Sequence, residues 1–534
     1  MLRIGREESR EAPAELVLGY HACTKHQRGR FAAGPATLDW DAQPAPFRSY
    51  GCPAPLRLPL LHELTARERA SMERPFALPP IAASCVDFTL AKLAMLLQTA
   101  LGISAWKALG PERWALRANP SSGNLHPVEA YVIASGLPCL ADGIHHYLPD
   151  RHALEQRGRW TTHVPRGLYL ALSSVMWREA WKYGERAFRY CQLDVGHAVA
   201  ALAVSAATLG LRVREEPGLH PELLARYLGL QVPDLPASER EEPELLLRVE
   251  IGLGDEPLRL PEPIELAGHP SQIDPHPYAS WPLIDRVALA TRGRPTLRAG
   301  VELPDRRDRS DRERRSAELL LGRRSAQRFD LHHVMPATQL AALLAALQPV
   351  AAAPFDALAA APALDLVLFV HRVETLESGV YLFSRCGAHS EALRNRLDAR
   401  FALQPTAIPG LARLPRVEAR ELMRFARALH CQQDIASSSC VALGMLAPLE
   451  SAVRADPSAY RALHREAGVI GQALYLGAEA LGLRGTGIGC YLDDVLHELL
   501  GFDDLSQQSL YHFTVGKPLD DPRLSSSAAY PEPR

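Results

Sequence analysis

The chain has 534 residues, with 59 Lys and Arg against 61 Asp and Glu for a net charge of -2; 47% of residues are hydrophobic and 22% charged. That length exceeds what one hydrophobic core organises and predicts two domains of about 200 residues plus extensions. The near-neutral balance gives no drive towards nucleic acid or a membrane surface. Nine cysteines without a C-x-x-C pair argue for reduced thiols, and against a disulfide framework or a zinc ribbon, so no metal is expected.

In chain order, residues 1–10 are charged and lack an apolar segment, which predicts no secretory signal and a cytoplasmic location. Residues 1–74 carry too little apolar matter to fold alone and are expected to pack along the domains or shape a site. The first chemistry-bearing segment is Pro120-Ser121-Ser122-Gly123-Asn124-Leu125-His126-Pro127. Short donors and a glycine there suit close approach to a flat heteroaromatic ring, with helix capping as the alternative role for the serines. His126 is either a substrate contact or a structural hydrogen bonder. Lys182 and Tyr183 stand side by side, and a cation beside a phenol favours phenolate. Adjacent helical residues do not share a face, so both serve one substrate only if the backbone is irregular, which Gly184 allows. The pairs His145-His146 and His332-His333 have no sequence neighbours at metal-ligand spacing and are read as non-ligands.

Residues 255–305 hold nine prolines and predict an extended connection; the charged run 305–315 reads as a solvated linker end. The uncharged residues around 334–355, broken by Pro336 and Pro349, read as helix and loop and not as a membrane span. Arg323-Arg324-Ser325-Ala326-Gln327-Arg328 offers guanidinium forks and a hydroxyl for a phosphate dianion, placed by this reading at a helix start. Gly485-Thr486-Gly487-Ile488-Gly489 removes side chains so that backbone N–H groups can approach a ring edge. It is not a G-x-G-x-x-G fingerprint, because position 490 is cysteine. Lys517 and Arg523 are further phosphate candidates.

An internal repeat organises these pieces. Thr208-Leu209-Gly210-Leu211-Arg212 recurs as Ala480-Leu481-Gly482-Leu483-Arg484, and at the same offset Gly196 falls on Gly468. Residues 193–209 and 469–481 are apolar or small nearly all round and predict buried helices that approach closely. Upstream, Gly143-Ile144-His145-His146-Tyr147 then His152-Ala153-Leu154 echoes Gly379-Val380-Tyr381-Leu382-Phe383 then Glu391-Ala392-Leu393. Downstream, residues 246–252 echo 510–516 as strands. Two related α+β domains follow, at 75–260 and 310–524, with an extension 1–74, a proline-rich linker 261–309 and a tail 525–534.

On Arg117, Pro120 to Pro127, Glu129, Tyr131, Lys182 to Tyr190, Asp194, Gly196, His197, Arg323 to Phe329 and Gly485 to Cys490, the chain resembles the nitroreductase superfamily, and within it the SagB/ThcOx-type FMN-dependent dehydrogenases. The resemblance implies two nitroreductase-like domains, each an antiparallel-rich sheet flanked by helices, joined as an intramolecular pseudo-dimer, hence a monomer or weak oligomer. It implies FMN as cofactor, held by Arg323, Arg324, Ser325, Arg328, the 485–489 glycine run, Lys517 and Arg523 of the second half and by Pro120, Ser121, Ser122, Gly123 and Asn124 of the first. Lys182 and Tyr183 resemble the catalytic pair of azoline-oxidising enzymes. The expected activity is dehydrogenation of azoline-type rings in a peptide-derived product, beside a cyclodehydratase-type complex. An NAD(P)H-dependent nitro or quinone reductase and a non-catalytic scaffold remain alternatives.

The halves lack complementary parts. The first offers only Glu73-Arg74-Pro75 where its arginine cluster would stand and Val213-Arg214-Glu215-Glu216 where its glycines would be. The second has Pro349-Val350-Ala351-Ala352-Ala353-Pro354 in place of the polar loop. One complete FMN site and one dead site are therefore expected.

Overall fold

A computed structural model gives the structure of residues 12–76, 88–160, 166–233, 235–251, 264–293, 303, 314–385, 387–415, 417 and 419–530. The strands of the first half are β1 (Leu56–Arg57), β2 (Ile103–Leu109), β3 (Glu112–Arg117), β4 (Val128–Ser135), β5 (Gly143–Leu148), β6 (Ala153–Trp160), β7 (Gly167–Ser174), β8 (Arg212–Glu215), β9 (Glu242–Glu250) and β10 (Ile264–Leu266). Those of the second are β11 (Asp365–Val370), β12 (Gly379–Phe383), β13 (Gln404–Pro405), β14 (Leu411–Arg413), β15 (Val441–Ala447), β16 (Arg484–Ile488), β17 (Gln508–Gly516) and β18 (Ser525–Ser527).

Two antiparallel sheets result, one per half, with the orders β1-β6-β5-β4-β7-β9-β8 and β13-β14-β12-β11-β15-β17-β16. The path is the same in both. Central strands such as Val128–Ser135 and Val441–Ala447 are buried along their whole length, which is why they read as continuous apolar runs and lack the alternation of a half-exposed sheet.

Between the sheets lie two long helices, Ala187–Thr208 and Ala459–Ala480. They cross at the predicted pair of glycines. A Cβ added at Gly468 would stand 2.9 Å from the Gly196 Cα and against the Leu193 carbonyl, and one at Gly196 would strike the Arg465 carbonyl. Only glycine on both sides permits this approach, so the repeat's shared glycines mark the axis that relates the two halves.

Three expectations are corrected. His152 to Leu154 enters strand β6, whereas Glu391 to Leu393 lies in the helix Gly387–Phe401; the partner of β6 in the second sheet's order is β14. The 261–309 segment is not simply extended, since Ile264–Leu266 pairs with β6 and Pro282–Ala290 is a helix whose Ile284, Val287 and Ala288 are buried; the rest of its linker reading lies largely outside the described residues. The tail is also built in. β18 extends the β2–β3 hairpin of the first half, and the Tyr530 hydroxyl accepts from the Ile103 amide and donates to the Pro149 carbonyl.

Candidate active site

A cavity of about 910 Å³ opens between the halves, within the range of small-molecule and cofactor sites. The first half contributes residues 119–124, Tyr183, and Tyr190, Asp194 and His197 of the Ala187–Thr208 helix. The second contributes residues 322–327, Tyr475, and residues 484 and 486–490. The two candidate motifs, some two hundred residues apart in sequence, thus face each other across one cleft.

The arginine cluster does not begin a helix. It follows the helix Ser316–Gly322, with Arg323 at its C-terminal cap, so no positive helix end contributes and the charge is carried by the guanidiniums alone. Arg323 is buried, donates to the carbonyls of Ala118 (2.9 Å) and Arg117 (3.2 Å), and keeps Nη1 without a hydrogen-bond partner among the described residues. Arg324 donates to Leu321 O and the Ser104 hydroxyl. Burial, then the neighbouring Arg323, pushes its guanidinium down to about 10. Arg484, which sequence reasoning missed, lies beside them, bonded to Glu479 and Asp520. Crowded, partly desolvated cations with an orphaned buried N–H would be relieved by a bound dianion. Lys107, from β2, lines the same cleft and was also missed.

Other expected phosphate ligands stand elsewhere. Arg328 is exposed and is not among the residues lining the cleft. Lys517 donates to Gly482 O, and Arg523 is paired to Asp521 on the surface. Lys107 and Arg484 do line the cleft; the sequence signal for Arg484 was that it adjoins the glycine run.

The glycine run is strand and not loop. Arg484 to Ile488 form β16, the sheet edge, and Ser325 bridges to Gly485. Its glycines make room for rings: an added Cβ would strike Phe513 at Gly485, the Tyr511 hydroxyl at Gly487 and Tyr190 at Gly489. The Gly487 N–H donates to the Tyr475 hydroxyl at 3.0 Å, which also bonds Ser325 Oγ at 2.9 Å. Thr486 donates to Ala326 O.

In the opposing loop the side chains expected to meet a ring are turned inward. Ser121 Oγ (2.7 Å) and Ser122 Oγ (2.9 Å) donate to the buried Asp194 carboxyl, which burial pushes up to about 7 against the pull of those bonds. Asn124 Nδ2 donates to Ala115 O, and its Oδ1 accepts from His126 Nε2. Gly123 (φ 60°) and Asn124 (φ 61°) adopt left-handed backbone, and the loop therefore presents backbone and small side chains to the cavity. The stripe Tyr190, Asp194, His197 on a mostly apolar helix, spaced four and three residues apart, was the available signal for this floor.

Lys182 and Tyr183 end the helix Met176–Tyr183. Gly184 (φ 55°) breaks the helix at once, as the sequence suggested. Both side chains then converge on Gly123: an added Cβ would lie 2.6 Å from the Tyr183 hydroxyl and 3.3 Å from Lys182 Nζ. The phenolate expectation is overturned. Burial, reinforced by Glu179, Tyr190 and Asp194, holds the Tyr183 phenol well above its ordinary range. Burial lowers the Lys182 ammonium, partly offset by Glu179. Trp40 of the N-terminal segment sits 5.0 Å from Lys182 Nζ, and the Glu185 amide donates to Ala33 O, so residues 33–40 pack beside this pair.

His146, read as lacking acidic neighbours, is sandwiched at 3.0 Å from Glu129 and at 3.0 Å from Glu155, which the sheet brings from adjacent strands. Burial opposes its charge, yet these bonds raise it to about 9. No cluster among the described residues has the make-up of a metal site, and no helix there is long and apolar enough to cross a membrane.

Residues 320–517 match the model of the Nitroreductase family. A crystal structure from Anabaena variabilis, of a chain assigned as a nitroreductase, superposes on 94% of this chain and 99% of its own, with a TM-score of 0.69 and 23% identity. A curated protein of Methanocaldococcus jannaschii, also assigned as a nitroreductase, is 26% identical over 136 residues, which span 23% of this chain and 65% of that protein. The E. coli microcin synthetase McbBCD complex with truncated pro-MccB17 bound matches over 44% of this chain and 92% of that one, at 15% identity and a TM-score of 0.27. Fold and cleft define an α+β protein of the nitroreductase type. Residues 320–517 carry that family's pattern, and the chain as a whole shares the fold.

Proposed function

We propose that this protein is an FMN-dependent oxidoreductase with one flavin per chain in the cleft between its halves, dehydrogenating azoline-type rings or related bonds in a peptide-derived substrate. The observation that supports this most is the division of groups across the cavity: Arg323, Arg324 and Arg484 on one wall, and on the other Tyr183, which converges with Lys182 on Gly123 of the lining loop. Arg323 and Arg324, with Arg484 and Lys107, would hold the phosphate. The β16 edge and the 120–124 loop would border the ring. When bound there, FMN supplies a two-electron acceptor for the hydride that such a dehydrogenation releases.

The protein's own groups supply the proton chemistry. Lys182 Nζ, its charge weakened by burial, accepts the proton that leaves the substrate carbon or nitrogen. The Tyr183 hydroxyl stays protonated and donates a hydrogen bond, orienting the substrate and stabilising developing negative charge. Trp40, across the lysine, excludes water from one side. These assignments rest on the resemblance as well as on the placement.

Native mass spectrometry and the visible spectrum test the cofactor: one FMN per chain is expected, and two or none rejects the reading. Bleaching of that flavin by an azoline-containing peptide but not by NADPH is expected; the reverse result favours an NAD(P)H-dependent reductase.

A further inference from the structure

Cys490 lines the cleft directly after β16, yet neither flavin retention nor proton transfer uses its thiol. Two side chains from distant segments meet it. Cys431, from the loop after the helix Leu422–Leu429, and His26 of the N-terminal segment lie close enough to act on its sulfur.

The backbone holds this cluster in place. Gln433 Nε2 donates to the carbonyls of both Cys490 and His430, and the Leu492 amide donates to Leu429 O at 2.7 Å. Cys431 (φ 53°) and Gln432 (φ 62°) both occupy the left-handed region, a strained conformation for residues with side chains that persists only where neighbouring contacts impose it. On the other side, His26 exchanges backbone bonds with Asp493, donating to its carboxylate and accepting from its amide, each at 2.9 Å. The Ala32 amide donates to His26 Nδ1 at 3.0 Å. The proton of neutral His26 therefore sits on Nε2, leaving that nitrogen to donate to the Cys490 sulfur.

The two thiols are driven apart in acidity. The bond from Cys431 lowers Cys490 first; His26 and the Arg186 guanidinium add to this against burial, while the same bond raises Cys431. Arg186 is fixed there by Asp493 at 2.9 Å and donates to the carbonyl of Gly489. Two thiols beside a guanidinium and an imidazole can thus share one proton, which favours a thiolate on one of them.

We propose that Cys490 and Cys431 form a peroxide-reactive dithiol at the cleft, which closes to a disulfide when hydrogen peroxide enters. The Cys490 thiolate attacks one peroxide oxygen; the O–O bond breaks, and the other oxygen leaves as hydroxide, neutralised by the proton the thiol had released to solvent. Cys431 sulfur then attacks the resulting sulfenic sulfur. The S–S bond forms, the S–O bond breaks, and the hydroxyl departs with the Cys431 proton as water. Two thiols and one peroxide thus give one disulfide and two waters. The inference rests on the proposed function only for the peroxide's origin, since oxygen reoxidising reduced flavin would release it in this cavity. The chemistry of the thiols stands by itself.

The test is peroxide titration of the purified full-length protein without substrate, followed by thiol alkylation, intact-mass measurement and peptide mapping. An intact mass lower by two hydrogens is expected, with the peptides carrying Cys431 and Cys490 linked to each other and both thiols lost to alkylation. In Cys431→Ser, a dimedone adduct on Cys490 is expected in place of the disulfide. Full alkylation of both residues after peroxide, or oxidation mapping to other cysteines, overturns the proposal, as does the lack of a dimedone adduct in that variant. Flavin content, read separately from the spectrum, judges the functional reading and leaves this result independent.

Discussion

The two sides of the pseudo-dimer show how one plan yields an open cleft and a closed one. On the open side, the 119–124 loop and β16 face each other across about 910 Å³. On the other, the equivalent strand β8 is stitched to the 356–359 loop. The Glu215 amide donates to Ala357 O at 2.7 Å, the Glu215 carboxylate accepts from the Ala359 amide at 2.8 Å, and Arg212 pairs with Asp356 at 2.7 Å. Behind them Glu244 binds Arg461 and Arg465 of the Ala459–Ala480 helix. The space left near Glu215 divides into volumes of about 20 Å³ and about 290 Å³. Where the other half has its glycine run, this side has Glu215, whose bonds to the 356–359 loop fill the gap and satisfy the polar groups that face it.

The comparison is broken most severely at Lys182. Lys182→Met is expected to leave FMN bound while turnover falls by roughly a hundredfold or more, the range of a lost general base; steady-state kinetics beside the flavin spectrum reads both, and unchanged turnover removes Lys182 from the mechanism. Next is the cationic wall. Arg324→Ala should weaken FMN binding by roughly tenfold to a hundredfold, the loss of a charge-assisted contact of about 1.5–3 kcal/mol. Equilibrium dialysis measures it, and wild-type affinity would move the phosphate elsewhere.

A third effect is in pH. Lys182 must be neutral to accept a proton, and burial moves its titration below the ordinary 10.5. The turnover rate should therefore rise with pH along a limb whose midpoint lies below 10.5 and then level off. A limb at or above 10.5 would mean a solvated, uninvolved lysine. The smallest effect belongs to the closed side. Asp356→Ala should leave FMN stoichiometry and turnover unchanged and cost about 1–3 kcal/mol of stability by stranding the half-buried Arg212, read by denaturant melts. Appearance of a second bound FMN would show that the ion pair alone keeps that cleft shut.

Most of the large architecture was legible along the chain. The helices around 193–209 and 469–481, the strands at 143–147, 379–383, 246–252 and 510–516, and the Gly196–Gly468 crossing are patterns of apolar residues and missing side chains, which the sequence records position by position. The site was legible as to where its segments lie and less so as to what each side chain does. Ser121, Ser122 and Asn124 are spent on Asp194, Ala115 and His126; Arg328, Lys517 and Arg523 face away, while Lys107 and Arg484 face in. Residue type announces a capacity to bond. The partner is chosen by whatever the fold brings within reach.

The sequence by itself determined the repeat and the unequal distribution of the candidate segments between its halves: the polar 120–127 loop in the first, the arginine cluster and glycine run in the second. Those differences are of residue identity and need no coordinates to be seen. Only the tertiary structure decided that β16 is an edge strand whose glycines accommodate Phe513 and Tyr511, with Gly489 just beyond it accommodating Tyr190, that Tyr183 is held as a phenol, and that Cys490 lies beside Cys431 and His26. Each of these depends on groups far apart in the chain becoming neighbours in a buried, poorly solvated space. There, a few ångströms of separation set both packing and proton affinity.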